Sequence, residues 1–260
     1  MGNIYQEKLL ERLNEEKRLS LREAMGILGV SESTARRTFL RLEESGRAVR
    51  VLGGIQYVSP TMTSYDFDAG VYERVAEKKA IARETVRLVE DGDVIYCDSG
   101  TTMRCMCQEL AEKIRKDRLN IRLYTNSLAN LEILGSVTEV NLVGGRFRPN
   151  RRDFCGYLAE EVVSRLHFSK VFVSADGCSA ERVFTTTDME TARLNQIVIE
   201  NTDCAYMLTD SSKFFAVSHV LYAPAKQFTA VITDTEIDPD VLTRLKAQCR
   251  KVILASVPEE

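Results

Sequence analysis

Long apolar runs are missing from this chain: no stretch approaches eighteen consecutive apolar residues, so nothing in it reads as a membrane-spanning helix. The N-terminal MGNIYQEKLLERLNEEKR is charged and amphipathic, without the apolar core or small-residue cleavage site of a secretory signal. A cytoplasmic protein is therefore expected. Histidine is scarce. His167 and His219 lie far apart, in contexts (RLHFSK, VSHVLY) that read as strand-edge or packing positions. The seven cysteines, at 97, 105, 107, 155, 178, 204 and 249, include no C-x-x-C pair and are odd in number, which fits reduced thiols. Cys105 and Cys107 fall on different sides of a helix, and no spacing suits a metal. Neither G-x-x-x-x-G-K-[ST] nor a strand-terminal G-x-G-x-x-G occurs, which speaks against ATP and NAD. No cofactor is expected.

What remains is an ordinary globular composition, 44% hydrophobic and 28% charged, with net charge −3. The charge is unevenly spread. Residues 1–58 carry ten Lys/Arg against eight Asp/Glu, and the rest carries 25 against 30. A locally basic head is compatible with nucleic-acid binding despite the acidic total. Ile4, Leu9, Leu10 and Leu13 recur at helical spacing and predict a helix over about 4–17. Ser20 and Glu23 form a capping box that opens a short helix, Leu21 to Leu28, stopping at Gly29. Val30 turns, and Ser31 caps a third helix running to Gly46. This is the helix-turn-helix pattern.

On the third helix Ala35, Phe39 and Leu42 share the inward side at 100° per residue. Ser33 and Arg37 point the opposite way, with Thr34 and Arg36 on the flanks. Early hydroxyls followed by arginines suit phosphates and base edges in a major groove. Leu40 also faces outward and needs a cover. The run AVRVLGGIQYV, centred on Gly53-Gly54, predicts a β-hairpin wing, with Arg47 and Arg50 at its base.

Ser59-Pro60-Thr61-Met62-Thr63-Ser64 is polar and aperiodic and reads as a boundary. The expected division is a head at 1–58, a linker at 59–70 and a larger domain at 71–260. The larger domain opens with one long helix, Val71 to Val89. Seven strand-like runs follow, alternating with helical ones: DVIYCD, IRLYTNS, EVNLVGG, KVFVSADG, CAYMLTDSS, FTAVITD and KVILAS. That alternation predicts an α/β fold with a mostly parallel sheet covered on both faces. The runs end in small or polar residues, and the carboxyl ends of parallel strands converge where ligands bind. Ser99, Gly100, Thr101 and Thr102 supply amides and hydroxyls at a helix N-terminus, a cradle for phosphate. Asn126 and Ser127 repeat the feature, and Arg146 and Lys213 could neutralise an anion. Asp98 and Asp176 could accept from sugar hydroxyls or cap helices.

Two sets of residues carry a resemblance. SESTARRTFLRLEESGRAVRVLGGI resembles the winged helix-turn-helix of the DeoR family of bacterial transcription regulators. DSGTT (98–102), TNSL (125–128), GG (144–145), ADG (175–177) and DSSKF (210–214) resemble that family's sensor domain, whose fold is shared with ribose-5-phosphate isomerase and glucosamine-6-phosphate deaminase. The resemblance implies a repressor-type regulator of carbohydrate genes that binds operator DNA through Ser31, Ser33, Thr34, Arg36, Arg37 and Arg50. It also implies a phosphorylated sugar or related metabolite held by Asp98, Ser99, Gly100, Thr101, Thr102, Asn126, Gly144, Gly145, Asp176 and Lys213. Three positions depart from the family pattern. Thr38 stands for an aspartate, Leu52 for a histidine, and Asn195 for a lysine usually found near that position. Catalysis on a sugar phosphate, as in the related folds, needs a paired acid and base. Asp98, Asp176 and Glu190 form no obvious pair, so a regulator is expected and an enzyme with an appended head is the alternative. Two-fold operators favour a homo-oligomer, dimer or tetramer.

Overall fold

The computed structural model describes residues 2–45, 47–57, 65–179 and 183–258. Its head comprises α1 (Gly2–Glu16), β1 (Arg18–Ser20), α2 (Leu21–Leu28), α3 (Glu32–Glu44), β2 (Ala48–Val51) and β3 (Gly54–Tyr57). Leu9 and Leu13 of α1 close on Phe39 and Leu42 of α3 and on Ile55 of the wing. The capping box forms: the Glu23 N–H donates to Ser20 Oγ at 3.2 Å, and the Ser20 N–H donates to the Glu23 carboxylate at 2.7 Å. Gly29, at φ 63°, ends α2 in the left-handed conformation. β2 and β3 pair antiparallel as the wing, and β1 adds a strand that the sequence did not signal. A Cβ on Gly54 would lie 2.2 Å from the Leu19 carbonyl oxygen, so β1 can approach β3 only over a glycine.

The larger domain runs through α4 (Phe67–Gly70), α5 (Val75–Val86), β4 (Val94–Cys97), α6 (Thr101–Asp117), β5 (Arg122–Thr125), α7 (Leu128–Leu134) and β6 (Val140–Leu142). A ribbon of β7 (Arg146–Arg148) and β8 (Asp153–Cys155) leads to α8 (Tyr157–Val163) and β9 (Phe168–Ser174). Then come β10 (Gly177–Cys178), β11 (Val183–Thr186), α9 (Met189–Glu200), β12 (Thr202–Leu208), β13 (Val220–Pro224), β14 (Ala230–Asp234), α10 (Pro239–Gln248) and β15 (Val252–Ala255). The seven apolar runs become one parallel sheet in the order β15-β14-β12-β9-β4-β5-β6. Alternate residues feed two cores. Ile95, Phe172 and Leu208 pack with α5, α6 and α7, while Tyr96, Val171 and Met207 pack with α8, α9 and α10. The antiparallel pieces, β10-β11-β13 and β7-β8, were not anticipated.

Two expectations need correction. The expected long helix Val71–Val89 forms only over Val75–Val86, as α5. The chain turns between α4 and α5 at Arg74, which sits at φ 50° with its guanidinium held by Ser211 and Glu236. A tertiary ion pair thus overrides helical periodicity. Of the expected linker, 59–64 lies outside the described residues, but Tyr65 to Gly70 is structured and packs on the larger domain, with Phe67 buried. The third helix ends at Glu44, and the expected stop at Gly46 lies outside the described residues. Among the described residues, no helix is long and apolar enough to cross a membrane, and no cluster of His, Cys, Asp or Glu could hold a metal.

Candidate functional site

The reading helix α3 buries Ala35, Phe39 and Leu42 and leaves Ser31, Ser33, Arg36 and Arg37 exposed. Ser31 takes the cap position, but its hydroxyl makes no capping bond. It lies 3.1 Å from Ser33 Oγ and 3.2 Å from Thr34 Oγ1, so three hydroxyls cluster at the helix tip. Arg36 pairs with Glu32 along the helix at 2.8 Å. Thr38, one of the expected departures from the family pattern, turns inward and donates to the Thr34 carbonyl. Leu52 stands exposed at the wing tip, and Leu40 finds no cover, remaining 41% exposed. Arg47 is exposed too. Arg50 is engaged: its guanidinium donates to Glu43 at 2.6 Å, and its carbonyl accepts from Arg244 of α10. Arg244 also binds the Glu43 carboxylate, so head and larger domain share one charged knot. Burial pushes Glu43 up, but the bonds from Arg244 and Arg50 outweigh it and hold the carboxyl below its ordinary range.

Strand order reverses between β4 and β9, the switch point of this sheet, and a cleft of about 160 Å³ opens beyond their carboxyl ends. The α6 N-terminus forms its floor. Gly100, at φ 114°, turns the chain from β4 into α6, and a Cβ there would meet Ser174 Oγ at 2.9 Å. Only glycine fits this corner. The first amides of α6 have no carbonyl partner within the helix and carry its positive dipole end. Around them stand three cations, Lys78, Arg151 and Lys213, and three carboxylates, Asp66, Glu73 and Asp176. Lys78 is buried and donates to the Gly70 carbonyl at 2.7 Å. Its pKa is lowered, chiefly because burial disfavours the charge. Arg151 lies over the ring of Tyr65, 4.2 Å from its centroid.

Behind the cleft lies a buried polar layer. Asp98 accepts from Asn195 Nδ2 at 3.1 Å and from the Ser174 amide at 3.3 Å. Both partners are neutral, and desolvation pushes Asp98 up to about 6. Asp98 Oδ1 and Asn195 Oδ1 are buried with no hydrogen-bond partner. Ser99 turns away from the cleft and donates to Asp153 at 2.8 Å, a carboxylate that Arg148 clamps with two bonds of 2.8 Å.

With this geometry in view, comparison with known proteins is specific. Residues 6–61 match the DeoR-like helix-turn-helix domain, and residues 73–235 match the DeoR C terminal sensor domain. The chain belongs to the DeoR family. It is 31% identical to a lactose phosphotransferase system repressor of Streptococcus mutans, over 92% of this chain and 94% of that one. It is 27% identical to the HTH-type transcriptional regulator IolR of Bacillus subtilis, over 85% and 87%. A ribose 5-phosphate isomerase of Methanocaldococcus jannaschii aligns at TM-score 0.40 and 23% identity, covering 54% of this chain and 53% of that one. The protein is thus a DeoR-type DNA-binding transcriptional regulator with a sensor domain.

In this DeoR-family chain the residues expected at the effector site divide. Gly100, Thr101, Thr102, Asp176 and Lys213 line the cleft. Asp98 and Ser99 lie buried beside it. Asn126 and Ser127 are buried and do not line the cleft: Asn126 donates to the Phe154 carbonyl, and Ser127 caps α7. Gly144 and Gly145 shape the entry to β7, outside the cleft. Arg146 is 64% exposed and paired with Glu190, away from the cleft. His167 stands at the edge of β9, one of the two positions expected for it, and pairs with Asp203 on the surface at 3.0 Å. Tyr65, Lys78 and Arg151 line the cleft and were missed. Lys78 carried one faint signal: it sits a turn before Ile81, beside the apolar stripe of α5.

Proposed function

We propose that this protein is a repressor of carbohydrate-metabolism genes whose grip on operator DNA is set by a phosphorylated sugar in the switch-point cleft. The observation that carries the reading is the gathering of the α6 N-terminus, where the Tyr65 hydroxyl meets Thr101, with Lys78, Lys213 and Arg151 and with carboxylates including Asp176 around one cleft. Phosphate suits the amides and cations; sugar hydroxyls suit the carboxylate oxygens. Residues 1–57 act as the reading head and 65–258 as the sensor. A differential-scanning screen of sugar phosphates tests this: a true effector raises the melting temperature with concentration. A flat response to pentose, hexose and amino-sugar phosphates alike would end the proposal.

Operator reading falls to the exposed face of α3. Arg37→Ala is expected to lower operator affinity about 5- to 150-fold, the loss of one good forked contact worth about 1–3 kcal/mol. The slope of affinity against salt should flatten by about one charge if that contact is to phosphate. Thermal stabilisation by effector should be untouched. Fluorescence anisotropy over a salt series measures the first two, and loss of both functions together would contradict the assignment of separate units.

A contiguous set of contacts can carry the signal. Lys213 sits in the 3₁₀ turn Ser211–Phe215, whose Ser211 amide donates to Asp234 at 2.7 Å. Arg74 ties Ser211 at 3.0 Å to Glu236 at 2.7 Å. Two residues on, Asp238 caps α10 and lies 3.8 Å from Arg18 of the head. From α10, Arg244 reaches Glu43 and the Arg50 carbonyl. A shift of the 3₁₀ turn on effector capture would move α10 and thereby the wing. Arg244→Ala is expected to keep the effector's thermal shift while shrinking its effect on operator affinity. An undiminished effect of effector on operator binding would exclude this route.

A further inference from the structure

Ala35, Phe39 and Leu42 turn inward from α3, whereas Leu40, 41% exposed, is the one apolar side chain that the helix turns outward. It stands one turn beyond Arg37 and two beyond Ser33, with Arg36 and Arg41 to either side. Helical leucines lean toward the helix N-terminus, which sets its methyl groups over the turn that carries Arg36 and Arg37. Among the described residues, no carboxylate pairs with Arg37, Arg41 or Arg47, and all three are exposed. Glu44 closes the stripe one turn further on. Cations without partners in the chain thus surround the leucine, and a polyanion fits them. A single exposed leucine elsewhere would be ordinary. Here it lies on the surface that such a partner must cover.

We propose that Leu40 reads the C5-methyl group of a thymine in the major groove. This role rests on the operator reading of α3 and names one of the bases that the helix selects. Base edges in that groove carry donors and acceptors, and the thymine methyl is their one apolar group. Leucine has nothing to donate or accept. Set against a cytosine amino group, it would displace water and leave the donor unpaired. Set against the thymine methyl, it buries apolar surface on both partners. The hydroxyls of Ser33 and Thr34 suit several base edges, and arginine prefers guanine or phosphate. Leu40 adds a choice that neither makes, thymine over cytosine.

The test begins with a pool of randomised DNA duplexes, from which the full chain enriches the sequence it prefers. Each thymine of that sequence is then replaced by uracil, which deletes the methyl group and keeps the base pair. For the wild type, at least one replacement is expected to weaken binding about fourfold, the worth of burying one methyl group. Leu40→Ala should bind the thymine and uracil duplexes alike. Leu40 is no part of the core of the head, so this variant should melt as the wild type does. Leu40→Met, which keeps a long apolar side chain, should retain the preference for thymine. Arg37→Ala should weaken both duplexes and keep their ratio. An enriched sequence indifferent to every uracil, or a uracil penalty that persists in Leu40→Ala, overturns the role of Leu40 and leaves operator reading standing. Failure of the wild type to enrich any sequence would instead overturn operator reading itself, and this role with it.

Discussion

Thr101→Glu is expected to abolish stabilisation by sugar phosphate while leaving the fold and operator binding in place. Thr101 is the first residue of α6, lines the cleft beneath Gly70, and is half-buried. A carboxylate at a helix N-terminus is favourable to the helix itself, so no folding cost is expected from the dipole. The same carboxylate takes the space and the cations that the phosphate needs. Wild-type protein with effector at about a hundredfold excess over its dissociation constant should gain about 2.7 kcal/mol, and the variant should gain nothing. Thermal melts with and without effector make the measurement. A full shift in the variant would put the anion site elsewhere in the molecule.

Asp98→Asn is expected to stabilise the protein, and to do so only at neutral and alkaline pH. In the folded chain the Asp98 carboxyl is raised to about 6 from an ordinary 3.8, first by desolvation. Below about pH 4 both folded and unfolded chains carry the proton, and the residue costs nothing. Between the two values the folded chain holds a proton that the unfolded chain has released, so stability falls as pH rises through that window. Above about pH 6 the full cost is present, about 3 kcal/mol from a shift of about two units. Asparagine removes it. Its oxygen can accept from Asn195 Nδ2 as Asp98 does, and its amide can donate to the unpartnered Asn195 Oδ1. Denaturant unfolding should therefore show a gain for the variant near pH 8 that vanishes near pH 4. A variant less stable than wild type near pH 8 would show that a cation or bound donor compensates the charge.

That prediction also explains what the departure at Asn195 does. A lysine at this buried position would neutralise Asp98; an asparagine offers one neutral hydrogen bond and leaves Asp98 Oδ1 and its own Oδ1 without a partner. The sequence showed the substitution but not its partner, because α9 and the end of β4 lie about a hundred residues apart. The regular parts of the fold were easier to read. Seven apolar runs became the seven parallel strands because burial on both faces demands continuous apolarity. Ala35, Phe39 and Leu42 turned inward because their spacing leaves no other side for a core. Interactions between distant segments were invisible. Lys78 looks like one more charge in EKKAIARE, and only its bond to the Gly70 carbonyl of α4 gives it a place in the cleft. Ser99 belongs to a phosphate-cradle motif, yet Asp153, from a ribbon with no strong strand signal, draws its hydroxyl away. Arg50 reads as a DNA contact from its place in the wing, but Glu43 and Arg244 already hold it.

The central claim is that the cleft and the reading head are coupled, and reciprocity tests it most directly. Isothermal titration of an identified sugar phosphate into the protein, alone and again saturated with operator DNA, should give dissociation constants differing by about 5- to 150-fold, matched by an equal change in operator affinity when effector is present. Equal effector affinities in the two titrations would contradict the account.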